Sequence, residues 1–149
     1  MSSPSGNDLK VIACALLALL LPPAVGVSRP AQCEITLKRV VGLDYPWFAR
    51  MAFLQGAVEL VATISPAGNV VKMRTVSGPE PLASPAREAL AKWRFAGYVS
   101  RPSDCEASFV FTFELKGTCE VGTYCPTEFL VDLPGKVKIR SRAVTGAIN

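Results

Sequence analysis

From position 109 to 115 every second residue is large and apolar (Phe109, Phe111, Phe113, Leu115), and Ser108, Thr112 and Glu114 fall in the opposite phase. Successive side chains of a strand point to opposite faces, so this stretch predicts a strand over 108–115 with one face buried under a second layer. A chain that carries it must build a sheet and must cover that sheet on one side. A second alternation supplies a neighbour: Val58, Leu60, Ala62 and Ile64 oppose Glu59 and Thr63 across residues 57–65. Pro66-Ala67-Gly68-Asn69 reads as a hairpin turn, with Gly68 as backbone punctuation. The returning strand at 70–77 carries Lys72 and Arg74 on one face and Val71 and Met73 on the other.

Two short helices are expected as the cover. Asp44 can cap the first, with Pro46 near its start, where a missing N–H costs nothing. Tyr45, Phe48, Ala49 and Ala52 recur at helical spacing and are expected to pack inward, and Gly56 is expected to end the helix. Ser84 reads as the cap of the second helix, with Pro85 at its first position. Ala86, Ala89, Leu90 and Trp93 then fall on a single apolar stripe, while Arg87, Glu88 and Lys92 lie outside it. Three further strands are expected: residues 33–41, Glu128–Asp132 and 136–141, where Lys136, Lys138 and Arg140 alternate with Val137 and Ile139.

The N-terminus has the three-part layout of a secretory signal: Lys10, an apolar run at 11–21 closed by Pro22-Pro23, and small residues at Ala24-Val25-Gly26. A signal peptide is expected over 1–26. The rival is a retained inner-membrane anchor, but the run is shorter than the ~20 residues a spanning helix needs. Cleavage there removes Cys14 and leaves Cys33, Cys105, Cys119 and Cys125. An even count in an exported chain predicts two disulfides, with three pairings possible. Cys119 with Cys125 would close a short local loop, and Cys33 with Cys105 would then tie the N-terminal arm to the segment before the Phe-rich strand. Metal binding is disfavoured, because the chain has no histidine and no Cys-x-x-Cys spacing.

The same inventory argues against catalysis, since there is no Gly-rich phosphate loop and no paired carboxylate at helical spacing. No cofactor is expected. The formal net charge of +4 is spread along the chain, with no basic run interleaved with stacking aromatics, so nucleic acid is not an expected partner.

Together the landmarks resemble the C-terminal domain of the TonB energy-transducer family over residues 44–115. They are the Tyr45-Pro46 turn, the Gln55-Gly56 stop before an alternating strand, the Pro66-Ala67-Gly68-Asn69 turn, the helix end Lys92-Trp93-Arg94-Phe95 and the Phe-rich strand. The resemblance implies an α+β fold: a small antiparallel sheet with two helices, extended here by C-terminal strands. It divides the chain into a signal (1–26), an arm (27–43), the family domain (44–115) and an extension (116–149). Tyr45, Pro46, Gly56, Gly68, Trp93 and Phe95 fall at its motif positions and are expected to be structural.

The resemblance also implies a non-catalytic binding role, in which the strand after the second helix accepts an extended peptide from the plug of an outer-membrane transporter. In this chain that strand is 108–115, so Ser108, Val110, Thr112 and Glu114 are the expected partner-binding positions, provided the edge is free. The extension is the competing occupant. Self-association through the same edge is the alternative, and contact with the membrane is expected only if the N-terminal segment is retained. Residues 27–43 reach at most ~60 Å when extended, far less than the long Pro/Lys-rich linker of a full transducer. A periplasmic or secreted binding module is therefore expected, with a miniature anchored transducer as its rival.

Overall fold

The computed structural model describes Gly26 and residues 33–97, 103–132 and 135–146. Apart from Gly26, the expected signal peptide lies outside the described residues, as do residues 27–32 of the arm.

Nine elements follow in order: β1 (Leu37–Arg39), α1 (Trp47–Met51), β2 (Gly56–Ile64), β3 (Val70–Ser77), α2 (Glu80–Ala91), β4 (Arg94–Phe95), β5 (Cys105–Glu120), β6 (Glu128–Asp132) and β7 (Lys136–Thr145). β2, β3, β5, β6 and β7 form one sheet in the order β3-β2-β5-β7-β6, while β1 pairs with β4 beside it. The fold is α+β, as expected, and the main sheet is antiparallel except where β7 runs parallel to β5.

The alternating residues do what their spacing demands. Val58, Leu60, Ala62 and Ile64 of β2 and Phe109, Phe111 and Phe113 of β5 are almost fully buried, in one cluster with Leu82, Ala86, Leu90 and Trp93 from α2 and its end. Val137 and Ile139 of β7 join the same cluster, as do Tyr45 and Ala49. Both helices thus cover the Phe-bearing face. Each fully buried large side chain contributes roughly 1.5–3 kcal/mol by transfer from water. The aromatic group also gains edge-on packing: Trp93 meets Phe109 at 5.9 Å and Tyr45 meets Phe113 at 5.3 Å, both nearly perpendicular.

Several local expectations are corrected. α1 is capped by Pro46 rather than Asp44, and it turns Phe48 and Ala52 outward, with Phe48 82% exposed. Only five residues long, it can bury a single narrow stripe, and Ala49 occupies it. Its stop is not Gly56, which opens β2, but Phe53, in the left-handed region at φ 53°. The Leu54 N–H then reaches back to the Ala49 carbonyl, a helix-closing turn usually given to glycine.

α2 starts at Glu80, five residues before the expected first position, and keeps Pro85 inside it. The earlier start buries Leu82 and Ala83 on the stripe of Ala86, Ala89 and Leu90, which offsets the backbone bond that Pro85 cannot donate. It ends at Ala91, so Arg94 and Phe95 leave the helix and form β4. The strand expected at 33–41 is paired only over Leu37–Arg39, because its partner β4 is two residues long.

The C-terminal strands are where the sheet departs most from expectation. β6 has the predicted bounds, whereas β7 continues to Thr145 and β5 to Glu120. After β5 the chain skips one strand position, lays down β6, and returns as β7 in the slot between them. Gly135, at φ +84°, makes that return: a Cβ there would collide with the Ser108 carbonyl, and its own carbonyl accepts the Val110 N–H at 2.8 Å.

Candidate functional site

Ser108, Val110, Thr112 and Glu114 all lie on β5, but β5 is not an edge. On one side it pairs antiparallel with β2, from Gly56 opposite Phe113 to Ile64 opposite Cys105. On the other it pairs parallel with β7, with Val110, Thr112 and Glu114 in register with Lys136, Lys138 and Arg140. Beyond β2 the first pairing is prolonged by a side chain, the Gln55 Oε1 accepting the Leu115 N–H at 2.7 Å. From Val110 onward the expected acceptor edge is therefore filled from within the chain, while Ser108 is paired with Val61 of β2 alone. The cause is apolar burial: β7 places Val137 and Ile139 under the helices at 2% and 0% exposure, which an outer strand could not do.

The side chains of Val110, Thr112 and Glu114 point away from the core. With Leu130, Lys138 and Arg140 they line an open depression of about 540 Å³ on the bare face of the sheet. Glu114 accepts a hydrogen bond from the Arg140 Nε at 2.9 Å, and this bond, aided by the positive charge of Lys138, holds its carboxyl below the usual range.

The motif residues are brought together as structural parts. Tyr45 is 3% exposed, and its hydroxyl donates to the Leu54 carbonyl at 2.6 Å. Burial pushes its pKa up to about 12. Trp93 is 1% exposed and donates its indole N–H to the Val41 carbonyl at 2.9 Å, which fixes the N-terminal arm against the end of α2. Gly68, at φ +84°, turns the β2–β3 hairpin so closely against β4 that a Cβ would collide with the Phe95 carbonyl. The Phe95 N–H bonds the Gly68 carbonyl at 2.9 Å, so two landmarks far apart in sequence meet directly. Pro46 caps α1 and Gly56 starts β2.

Two disulfides are formed, Cys33 with Cys105 and Cys119 with Cys125. They hold the two ends of β5. The first ties down the arm, where the Cys33 N–H also bonds the Glu106 carbonyl at 3.0 Å, and the second closes the turn that leads to β6. Among the described residues no group of three or more His, Cys, Asp or Glu side chains is placed to hold a metal ion. No helix among them is long and apolar enough to cross a membrane.

Two outer strands of the main sheet remain, β3 and β6. β3 carries Lys72 and Arg74, and its pairing with β2 shifts register twice, so its outer edge is an irregular template. β6 pairs with β7 in unbroken register, from Glu128 opposite Arg140 to Asp132 opposite Lys136. Phe129 and Val131 point to the core and are half-buried, while Leu130 on the bare face is 50% exposed. Reading the sequence missed β6 as an outer edge. The strand itself was expected, but nothing in its residues says on which side of β7 it lies.

A family model described as Gram-negative bacterial TonB protein C-terminal matches residues 41–115, half of the chain. Among solved structures the fold is similar to the solution NMR structure of the Pseudomonas aeruginosa TonB CTD, at 25% identity and a TM-score of 0.47, over 56% of this chain and 88% of that one. Among curated proteins none matches the sequence.

Proposed function

Because the chain belongs to the family of the Gram-negative bacterial TonB protein C-terminal domain, we propose that it is an exported, non-catalytic binding module of TonB-related transport in the cell envelope. It works by adding a strand of a partner protein to its sheet. The accepting edge is the outer side of β6, not β5, and the partner is a segment of an outer-membrane transporter.

The observation that carries this is the strand order. The position that the family resemblance assigns to the partner is occupied by β7, while β6 offers a regular outer edge beside a bare sheet face. Alternate N–H and C=O groups of an outer strand are unpaired, and pairing them with an extended peptide supplies affinity without a deep pocket. Two disulfides in so small a domain suit an oxidising compartment and support export.

A photo-cross-linking residue placed at Leu130, with a control at Val76 on β3, tests this in living Gram-negative cells. The expected outcome is a Leu130-specific cross-link to an outer-membrane transporter segment. Cross-links at Val76 alone, or none to any envelope protein, would overturn the assignment. N-terminal sequencing of the mature chain tests export in parallel: a start at Val27 is expected, and an uncleaved N-terminus returns the anchored transducer as the better account.

A further inference from the structure

Resting on the strand-addition reading above, we infer that the outer edge of β6 selects a partner strand with an apolar residue flanked two positions away on each side by Lys or Arg, and rejects a second copy of itself. A strand added beside β6 continues its pleat, so its side chains stand next to those of β6 on both faces. On the bare face these are Glu128, Leu130 and Asp132, an acid–apolar–acid row along one line. On the core face they are Phe129 and Val131, both still partly open to water.

The two acids are available to a partner on the outer side. On their inner side they face Arg140 and Lys136 of β7, but the guanidinium of Arg140 is engaged by Glu114 at 2.9 Å. Among the described residues neither Glu128 nor Asp132 makes an ion pair. The incoming strand is thus matched when it sets basic residues beside Glu128 and Asp132, an apolar residue beside Leu130, and β-branched residues beside Phe129 and Val131.

The same row excludes self-pairing. An antiparallel pair of β6 strands centred on Leu130 sets Glu128 of each copy opposite Asp132 of the other. A parallel in-register pair stacks Glu128 on Glu128 and Asp132 on Asp132. Either arrangement places like charges directly opposite, which is destabilising, whereas opposite charges stabilise by a similar amount. Edge-to-edge oligomers are therefore disfavoured where a basic partner strand is favoured.

The test uses the full chain with both disulfides formed and two synthetic peptides, Ser-Lys-Val-Val-Val-Lys-Ser and Ser-Glu-Val-Val-Val-Glu-Ser. Titrations are followed by backbone amide NMR shifts. The lysine peptide is expected to shift the amides of β6 and to bind roughly tenfold more tightly than the glutamate peptide, the change expected from exchanging two cross-strand charge pairs. The double variant Glu128→Gln/Asp132→Asn, which removes both charges without setting like charges opposite Arg140 and Lys136, is expected to stay folded and to lose the preference. Shifts at β6 with equal affinities, or a preference unchanged in the double variant, would overturn the charge rule and leave strand addition standing. An absence of shifts at β6 with both peptides would overturn strand addition at this edge and the inference with it. A concentration-dependent dimer through β6 in sedimentation of the unaltered chain would overturn the exclusion of self-pairing.

Discussion

The backbone N–H of Val110 donates to the carbonyl oxygen of Gly135 at 2.8 Å, at the point where the C-terminal strand begins its parallel run along β5. That bond sits at the head of a pairing extending from Val110 beside Lys136 to Glu120 beside Thr145. β5 therefore has a strand neighbour on both sides from Val110 to Phe113, and there its backbone is part of the interior of the sheet.

Val110→Pro should act on folding rather than on recognition. It removes a donor from the middle of a sheet and leaves the Gly135 carbonyl without its partner, at a cost of about 1–3 kcal/mol before any ring clash. Chemical denaturation should show this loss with no partner present. In native hydrogen exchange of the unaltered protein, the amides of Val110–Phe113 should be slow on both edges and outward amides of β6 fast.

Trp93→Ala should destabilise by roughly 3–5 kcal/mol, the usual range for truncating a buried aromatic. The ring lies against Phe95, Phe109 and Phe111, and its N–H holds the Val41 carbonyl at 2.9 Å. Trp93→Phe should recover part of the loss by keeping most of the apolar volume without the donor. A loss below ~1 kcal/mol for Trp93→Ala would show that the ring is not an anchor of the core.

The disulfides should be unequal in weight. The Cys33–Cys105 bridge spans 72 positions and the Cys119–Cys125 bridge spans 6. In the chain-entropy account these correspond to about 4 and about 2 kcal/mol. Cys33→Ser/Cys105→Ser should therefore lower the denaturation midpoint more than Cys119→Ser/Cys125→Ser. Alkylation of the mature chain without reductant, read by mass spectrometry, should label neither pair.

Tyr45 should make stability fall in alkali. Its pKa, raised to about 12 by burial, stands above the value near 10 of the unfolded chain. The contribution is complete below pH 10 and is lost as pH rises from 10 through 12, because ionisation then favours the unfolded state. Tyr45→Phe should lower stability near neutrality by about 1 kcal/mol, through loss of the bond to the Leu54 carbonyl. It should also flatten the decline between pH 10 and 12, measured as the denaturation midpoint against pH for both proteins.

The sequence alone determined the elements whose evidence is local. Alternation at Phe109, Phe111 and Phe113 and at Val58, Leu60 and Ile64 identified strands and their buried faces, since period-two spacing leaves those side chains a single side. The stripe ending in Trp93 identified the covering helix and its anchor, and the Tyr45-Pro46 and Lys92-Trp93-Arg94-Phe95 landmarks pointed to the family that matches. Where burial is shallow, local spacing was a weaker guide. Phe48 sits at helical spacing from Tyr45 yet faces solvent, because a five-residue helix has room to bury little more than Ala49. Only the tertiary structure decided the order of strands, and with it which edge is free. β6 and β7 were both expected as strands, and either could have lain beside β5. β7 took the central slot because its ten residues bring Val137 and Ile139 under the helices, while five-residue β6, flanked by Glu128 and Asp132, was left at the rim. Pairing between strands distant in sequence depends on how much apolar surface each arrangement removes from water across the whole sheet, a quantity that no single segment carries.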